Sequence, residues 1–336
     1  MNMDPMILGY ATGRGLDQMT KDDALRLTHV NVAFGVIENG LLSMRCLPKL
    51  KEQLARVRAL NPALKIVLSI GGWTAGGFSL MSRTAEGRAA FGESVKRVLD
   101  EYGLDGVDID WEYPCSGQAG IDFDPSDREN FTYLMEEMRR AAGDSRIVSI
   151  AAGGGDYFIR DTEMDKVAAI CNYVQIMTYD LNCSSHTTRH HTSLYAMANS
   201  YPRGNADYCA RIFHAAGVPN EKIVLGAAFY SRRWDGVRNE NHGLLQEAET
   251  IGNYGPGYGE LVENYIGKNG FVRYWDDVAK APYLFDGKTF IPYEDAQSIG
   301  EKCAYIRKNG LLGLMYWEHS CDPSGELLKA IYEGLR

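Results

Sequence analysis

Asp105-Gly106-Val107-Asp108-Ile109-Asp110-Trp111-Glu112-Tyr113-Pro114 decides how this chain is read. Its acids, Asp108, Asp110 and Glu112, alternate with Val107, Ile109 and Trp111. Side chains of a β-strand point to its two faces in turn, so this period puts the three carboxyls on one face and the apolar set on the other. Same-face neighbours along a strand lie roughly 6.5 Å apart. Carboxylates that close in a low dielectric repel one another, and at least one keeps its proton at neutral pH. A metal site or a solvated strand face would use the same residue types. A neutral acid beside a carboxylate is also what glycoside hydrolysis needs.

Outward from this stretch, short apolar runs alternate with amphipathic ones, the pattern of βαβ units. Strands are expected over residues 7–12, 29–36, 65–71, 106–111, 147–152, 173–179, 222–229 and 311–317. Helical spacing is read over 47–60, 85–102, 127–142, 205–216 and 294–308, with Asp127 as an N-cap and Gly217 as a helix stop. Parallel strands joined by crossover helices close into a (β/α)8 TIM barrel, an α/β fold. One interval breaks the rhythm. From Trp234 to Leu311 there is far more chain than one loop and one helix require, and it is rich in Tyr and Gly. Asp286-Gly287 between apolar runs signals a hairpin there. The expected division is a barrel of residues 1–235 and 294–336, with an α+β insertion of residues 236–293 between strands seven and eight.

Functional residues of such a barrel sit at the C-terminal ends of its strands. Those ends carry Tyr10, Phe34, Trp73, the acid triplet, Met177, Tyr179, Asp180, Tyr230, Arg232 and Trp317. A mouth lined with rings suits sugars, whose C–H faces stack on aromatics. Glu112, last of the triplet, lies nearest the mouth and is the candidate acid.

These ends resemble glycoside hydrolase family 18, the chitinase family. The triplet stretch carries the family's D-G-x-D-x-D-x-E of the fourth barrel strand, and Ser69-Ile70-Gly71-Gly72 its S-x-G-G of the third, with Trp73 following. Gly9-Tyr10 resembles the first-strand G-Y, and Asn31-Val32-Ala33-Phe34 the second-strand aromatic. Met177-Thr178-Tyr179-Asp180-Leu181 matches M-T-Y-D-L. Phe229-Tyr230-Ser231-Arg232 is similar to F-Y-G-R, with Ser231 in place of the usual glycine. Met315-Tyr316-Trp317-Glu318 resembles M-x-W-E. The resemblance spans nearly the whole chain.

The resemblance implies a chitinase that cleaves β-1,4 bonds between N-acetylglucosamine units with retention and substrate assistance. Glu112 would be the acid and base. The substrate's acetamido oxygen would attack the anomeric carbon to give an oxazolinium ion. Asp110 would orient the acetamide N–H, and Asp108 would share a proton with Asp110. Tyr179 would donate to the acetamide oxygen, and Trp317 would form the floor under the sugar. Tyr10, Phe34, Trp73, Tyr113, Met177, Asp180, Tyr230 and Arg232 would complete the binding groove. No metal and no cofactor are implied; the partner is chitin or an N-acetylglucosamine oligosaccharide, and a monomer is expected. Two rivals share the motif: an endo-β-N-acetylglucosaminidase acting on N-glycans or a related cell-wall glycan hydrolase, and a chitin-binding lectin. The intact acid set disfavours the lectin.

Composition sets outer bounds. The chain has 336 residues, 45% of them hydrophobic, enough for one barrel with a full core. Its formal charge of −9 disfavours nucleic acid, and no apolar run has the length of a membrane span. Met1-Asn-Met-Asp-Pro lacks the pattern of a signal peptide, so the chain reads as cytoplasmic as it stands, or secreted if a leader was removed. Seven scattered cysteines form no disulfide framework, although Cys115, Cys183 and Cys321 follow strand ends and leave one bridge open. Cys183, His186, His190 and His191 share one loop, but their spacing fits no familiar zinc site. His319 is expected at the surface or in a cap.

Overall fold

The computed structural model describes residues 5–336; Met1 to Asp4, part of the stretch read for a leader, lie outside them. Barrel strands run Met6–Ala11, His29–Glu38, Lys65–Gly71, Gly106–Asp110, Ile147–Gly153, Tyr173–Met177, Ile223–Ala228 and Gly313–Trp317. Each pairs in parallel with its neighbours in sequence order. The eighth returns to the first, with Met6 opposite Gly313 and Gly9 opposite Tyr316. The α/β barrel is closed, as the alternating pattern predicts. Strand ends differ from expectation by a residue or two, in both directions.

Helices wrap the outside. Ala85–Tyr102 starts at Thr84, whose side chain accepts from Gly87 N, and stops at Gly103 with φ 60°. Ala206–Ala215 ends just before Gly217, the expected stop, which has φ 97°. The expected N-cap Asp127 is a different device. Ser126 takes the cap position, and the buried Asp127 carboxylate accepts from Ser79 Oγ (2.7 Å), Asp124 N (2.8 Å) and Cys115 N (3.3 Å). Three converging donors draw it inward, where it ties the segments after strands three and four to the helix.

Apolar residues form two layers. The larger lies between strands and helices and includes Val107, Ile109, Trp111, Phe131 and Leu134. The smaller fills the lumen with Met6, Leu8, Tyr10, Tyr173, Met177, Val224 and Met315.

Between strands seven and eight lies a second, antiparallel sheet. Its strands, in spatial order, are Asn253–Gly257, Tyr230–Asp235, Thr289–Pro292, Ala281–Phe285 and Val272–Asp276, accompanied by the helix Tyr258–Asn264. The hairpin at Asp286-Gly287 is present: Phe285 faces Phe290, and Asp286 Oδ1 accepts from Lys288 N and Thr289 N. Trp234, Tyr283, Phe285 and Phe290 make its core. Tyr230–Asp235, on the barrel side of the expected division at residue 236, pairs in this second sheet.

Candidate active site

The fourth strand is divided by face as its period requires. Val107 and Ile109 are buried under the helices, and Trp111 stacks on Phe78 at 5.2 Å between ring centres. Asp108 and Asp110 point into the lumen, 0% and 4% exposed. Glu112 stands two residues past the strand's end, half-buried at the mouth. The glycines of Ser69-Ile70-Gly71-Gly72 have a steric cause. A Cβ on Gly71 would lie 2.0 Å from Asp110 O, and one on Gly72 2.8 Å from the Phe34 ring. Both also have positive φ, 122° and 93°. The third strand can therefore lie hard against the acid strand and the ring at strand two.

Four donors hold Asp108. Tyr10 Oη and Ser69 Oγ donate to Oδ2, both at 2.8 Å. Ser149 Oγ (2.7 Å) and Gln175 Nε2 (2.8 Å) donate to Oδ1. Burial raises the Asp108 carboxyl above its ordinary range, and these donors oppose it. Asp110 is the opposite case. Its Oδ1 is buried and has no partner. Burial, then Glu112, then Asp108, raise it well above the usual carboxylate range. Donors fill both oxygens of Asp108 and Asp110 Oδ1 has none, and no hydrogen bond joins the two acids among the described residues.

Glu112 is raised to about 7 by burial and by the Asp180 charge, with Tyr113 pulling the other way. That is the range of a general acid working near neutrality. Tyr179 stays a neutral phenol because burial, Asp110 and Glu112 all oppose its ionisation. Asp180, at a left-handed φ of 59°, pairs with Arg232 through Nε–Oδ1 (2.6 Å) and Nη2–Oδ2 (2.5 Å). Burial alone would raise Asp180, but His191 and Arg232 hold it well below the usual carboxylate range.

Rings surround these acids. Trp317 stacks on Phe34 at 5.4 Å and tilts against Tyr10 at 5.7 Å. Trp73, 53% exposed, meets Tyr113 edge-on at 6.4 Å, one residue from Glu112. Tyr179 meets Tyr230 edge-on at 6.1 Å, and Tyr230 stacks on Tyr254 at 4.6 Å. Tyr10, Met177 and Tyr230 are buried, so they shape the site from beneath, whereas Trp73 and Tyr254 offer open faces. Ser231 is also buried, and its hydroxyl donates to Pro256 O at 2.8 Å, which satisfies the side chain that replaces glycine.

The loop histidines diverge. His190 Nε2 meets Asp276 at 3.3 Å, and exposed His186 meets Ala248 O at 3.2 Å. Asp180, Cys183 and His191 do place ligand atoms within 4.8 Å of one another. The Arg232 guanidinium already supplies the positive charge on Asp180, so this group does not fit a resident cation. All seven cysteines are free thiols. His319 is not at the surface: it is buried between Tyr316 Oη (2.9 Å) and Asp23 (3.7 Å), because the chain turns inward after Trp317.

Sequence reading missed Ser149 and Gln175. Both carried a signal, since each is a polar residue at an inward position of an otherwise apolar barrel strand. The tyrosines of the insertion were expected to offer stacking surface, but the place of Tyr254 beside Tyr230 depends on the pairing of Asn253–Gly257 with Tyr230–Asp235.

The family model for Glycosyl hydrolases family 18 matches residues 6–322. The chain belongs to glycoside hydrolase family 18. A family 18 N-acetylglucosaminidase from Paenibacillus barengoltzii has a solved structure that aligns at a TM-score of 0.95, with 47% identity over 98% of this chain and 99% of that one. Chitinase ChiA74 from Bacillus thuringiensis aligns at a TM-score of 0.90, with 30% identity over 99% of this chain and 70% of that one. Chitinase A1 of Niallia circulans is 39% identical over 82% of this chain and 43% of its own length. The chain thus spans less than half of that relative.

Proposed function

We propose that this family 18 glycoside hydrolase cleaves β-1,4 bonds between N-acetylglucosamine units, with retention and through an oxazolinium ion. The observation that carries the reading is the unpartnered, buried Asp110 carboxyl between an anchored Asp108 and a Glu112 whose proton affinity lies at about 7. Glu112 gives its proton to the glycosidic oxygen as the bond to the anomeric carbon breaks. The acetamido oxygen of the same sugar closes on that carbon. Asp110 takes the acetamide N–H into its empty hydrogen-bonding position and balances the positive charge that develops, and the Tyr179 hydroxyl orients the acetamide oxygen. Water then attacks the anomeric carbon, gives a proton to Glu112 and reopens the ring.

A conventional retaining pair needs a free carboxylate roughly 5 Å from the acid on the opposite face of the sugar. Asp110 shares a strand face with the acid, and Asp180 is tied to Arg232 and His191. The substrate's own acetamide fills that gap. Trp317 and Phe34 form the floor of the groove, Trp73 and Tyr113 its side beyond the acid, and residues 236–293 a wall.

The test is to offer chitin oligomers and fully deacetylated glucosamine oligomers to the same preparation. Only the acetylated series is expected to be cut. Efficient cleavage of glucosamine oligomers would rule out substrate assistance. A second reading, N-acetylglucosaminidase action from a chain end, is favoured by the relative at 47% identity. Mass spectrometry of the first products from a chitin hexamer separates the two: monomer with pentamer alone means end-wise action, and a spread of dimer, trimer and tetramer means a chitinase. An N-glycopeptide in the same assay should remain intact.

A further inference from the structure

We propose that His191 is a positioning residue for the Tyr179-Asp180 turn, and that it works as a neutral imidazole donating from Nδ1. The proposal rests on the reading of Tyr179 and Asp180 given above. His191 is 0% exposed, so it cannot meet substrate. Its Nδ1 lies 3.3 Å from Asp180 Oδ1, and its carbonyl accepts from Leu181 N at 3.1 Å. One residue therefore holds the turn by side chain and by backbone. The next residue completes the grip: Thr192 Oγ1 reaches Thr178 O at 3.0 Å and accepts from Lys302 Nζ at 2.8 Å. Residues 178–181 are thus fixed at both ends.

The turn needs holding because Asp180 sits at φ 59°, a region that costs a non-glycine residue free energy. Arg232 neutralises the Asp180 charge but approaches from the second sheet. His191 holds it from the loop that carries Tyr179. The tautomer follows from the other nitrogen. Nε2 is buried without a partner, so a second proton there would have no acceptor. The groups facing the ring are Asp180, Arg232, Cys183, Tyr230 and, farther off, Glu294. Burial lowers the proton affinity of His191 despite Asp180, consistent with a ring that stays neutral.

Two amide replacements separate this role from simple packing. His191→Asn can place its N–H where Nδ1 was, and His191→Gln places it nearer Nε2. On a chitin oligomer, H191N is expected to keep kcat within about threefold of wild type. H191Q is expected to lose about tenfold in kcat, with KM changed less than about threefold. Equal kcat in the two variants, whether high or low, overturns the proposal. NMR of the full chain labelled with ¹⁵N-histidine gives a readout independent of turnover and also decides the matter if H191Q does not fold. The His191 signal, assigned by its loss in H191N, should show a protonated Nδ1 and a bare Nε2 from about pH 5 to 8. An Nε2–H tautomer, or ordinary titration in that range, overturns it. If the wild type cuts no chitin oligomer, the functional reading fails while the NMR result still judges His191.

Discussion

In the proposed mechanism Glu112 must hold its proton until the leaving oxygen needs it, and burial and a neighbouring charge supply that hold. Glu112→Gln removes the proton but keeps shape and polarity. Turnover should fall at least ~10²-fold while oligosaccharide binding, measured by calorimetry, persists. The pH profile follows from the same cause. On the proposed mechanism the protonated form of Glu112 is the active one, and its affinity is raised to about 7, so kcat/KM should fall as pH rises through about 7. Asp180 contributes to that raise. Replacing it with Asn removes a negative charge and leaves Arg232 uncompensated, and both changes favour the ionised acid. The alkaline limb of D180N should therefore move to lower pH, whatever happens to its maximal rate. A limb that stays or moves upward would take Asp180 out of this role. Asp110→Asn should cripple turnover through the acetamide, with KM far less affected than kcat.

At the scale of the element, the second sheet adds ring surface that the barrel alone lacks. Tyr254 is exposed and stacks on Tyr230, whose other side meets Tyr179. In the proposed groove such rings would meet sugars remote from the bond that breaks, so they count most when several subsites are filled. Replacing residues 236–293 with a short Gly/Ser bridge should slow cleavage of long oligomers more than that of short ones. Equal losses would make the insertion a structural cap. Within the sheet, Ser231→Gly removes the hydroxyl bonded to Pro256 O, and it should cost about 1 kcal/mol in denaturant unfolding. A gain in stability would show that the serine is merely tolerated there.

Across the whole molecule, one buried ion pair joins the end of the second sheet to the barrel. Lys302 and Glu294, each 1% exposed on its side chain, contact one another. Lys302 also donates to Gly226 O in the seventh strand at 3.1 Å and to Thr192 Oγ1. Lys302→Met strands the Glu294 carboxylate and should destabilise by about 3–5 kcal/mol, seen as a lowered Tm. Changing both partners to apolar residues should recover much of that loss, because no charge is then left alone. The stereochemical outcome also belongs to the assembled site. Two inversions at the anomeric carbon restore configuration, so proton NMR of early products should show the β-anomer first. Initial α-anomer would mean direct attack by water and a different pair of acids.

The sequence by itself determined the local and periodic part of this protein. Alternation every second residue put Asp108 and Asp110 on one face and Val107, Ile109 and Trp111 on the other, because strand geometry admits no other arrangement. Apolar runs spaced by helices fixed the barrel, and Asp286-Gly287 fixed its hairpin. Gly71 and Gly72 were legible as motif letters, but their reason was not: only the packed barrel shows the Asp110 carbonyl and Phe34 ring that exclude a Cβ. The donors to Asp108 come from Tyr10, Ser69, Ser149 and Gln175, on four other strands, so barrel closure decided which residues met. Tertiary structure likewise paired Asp180 with Arg232 and His191, turned Asp127 from a cap into a tether and buried His319. Periodicity reports which way a side chain points. Only the closed fold decides what it meets there.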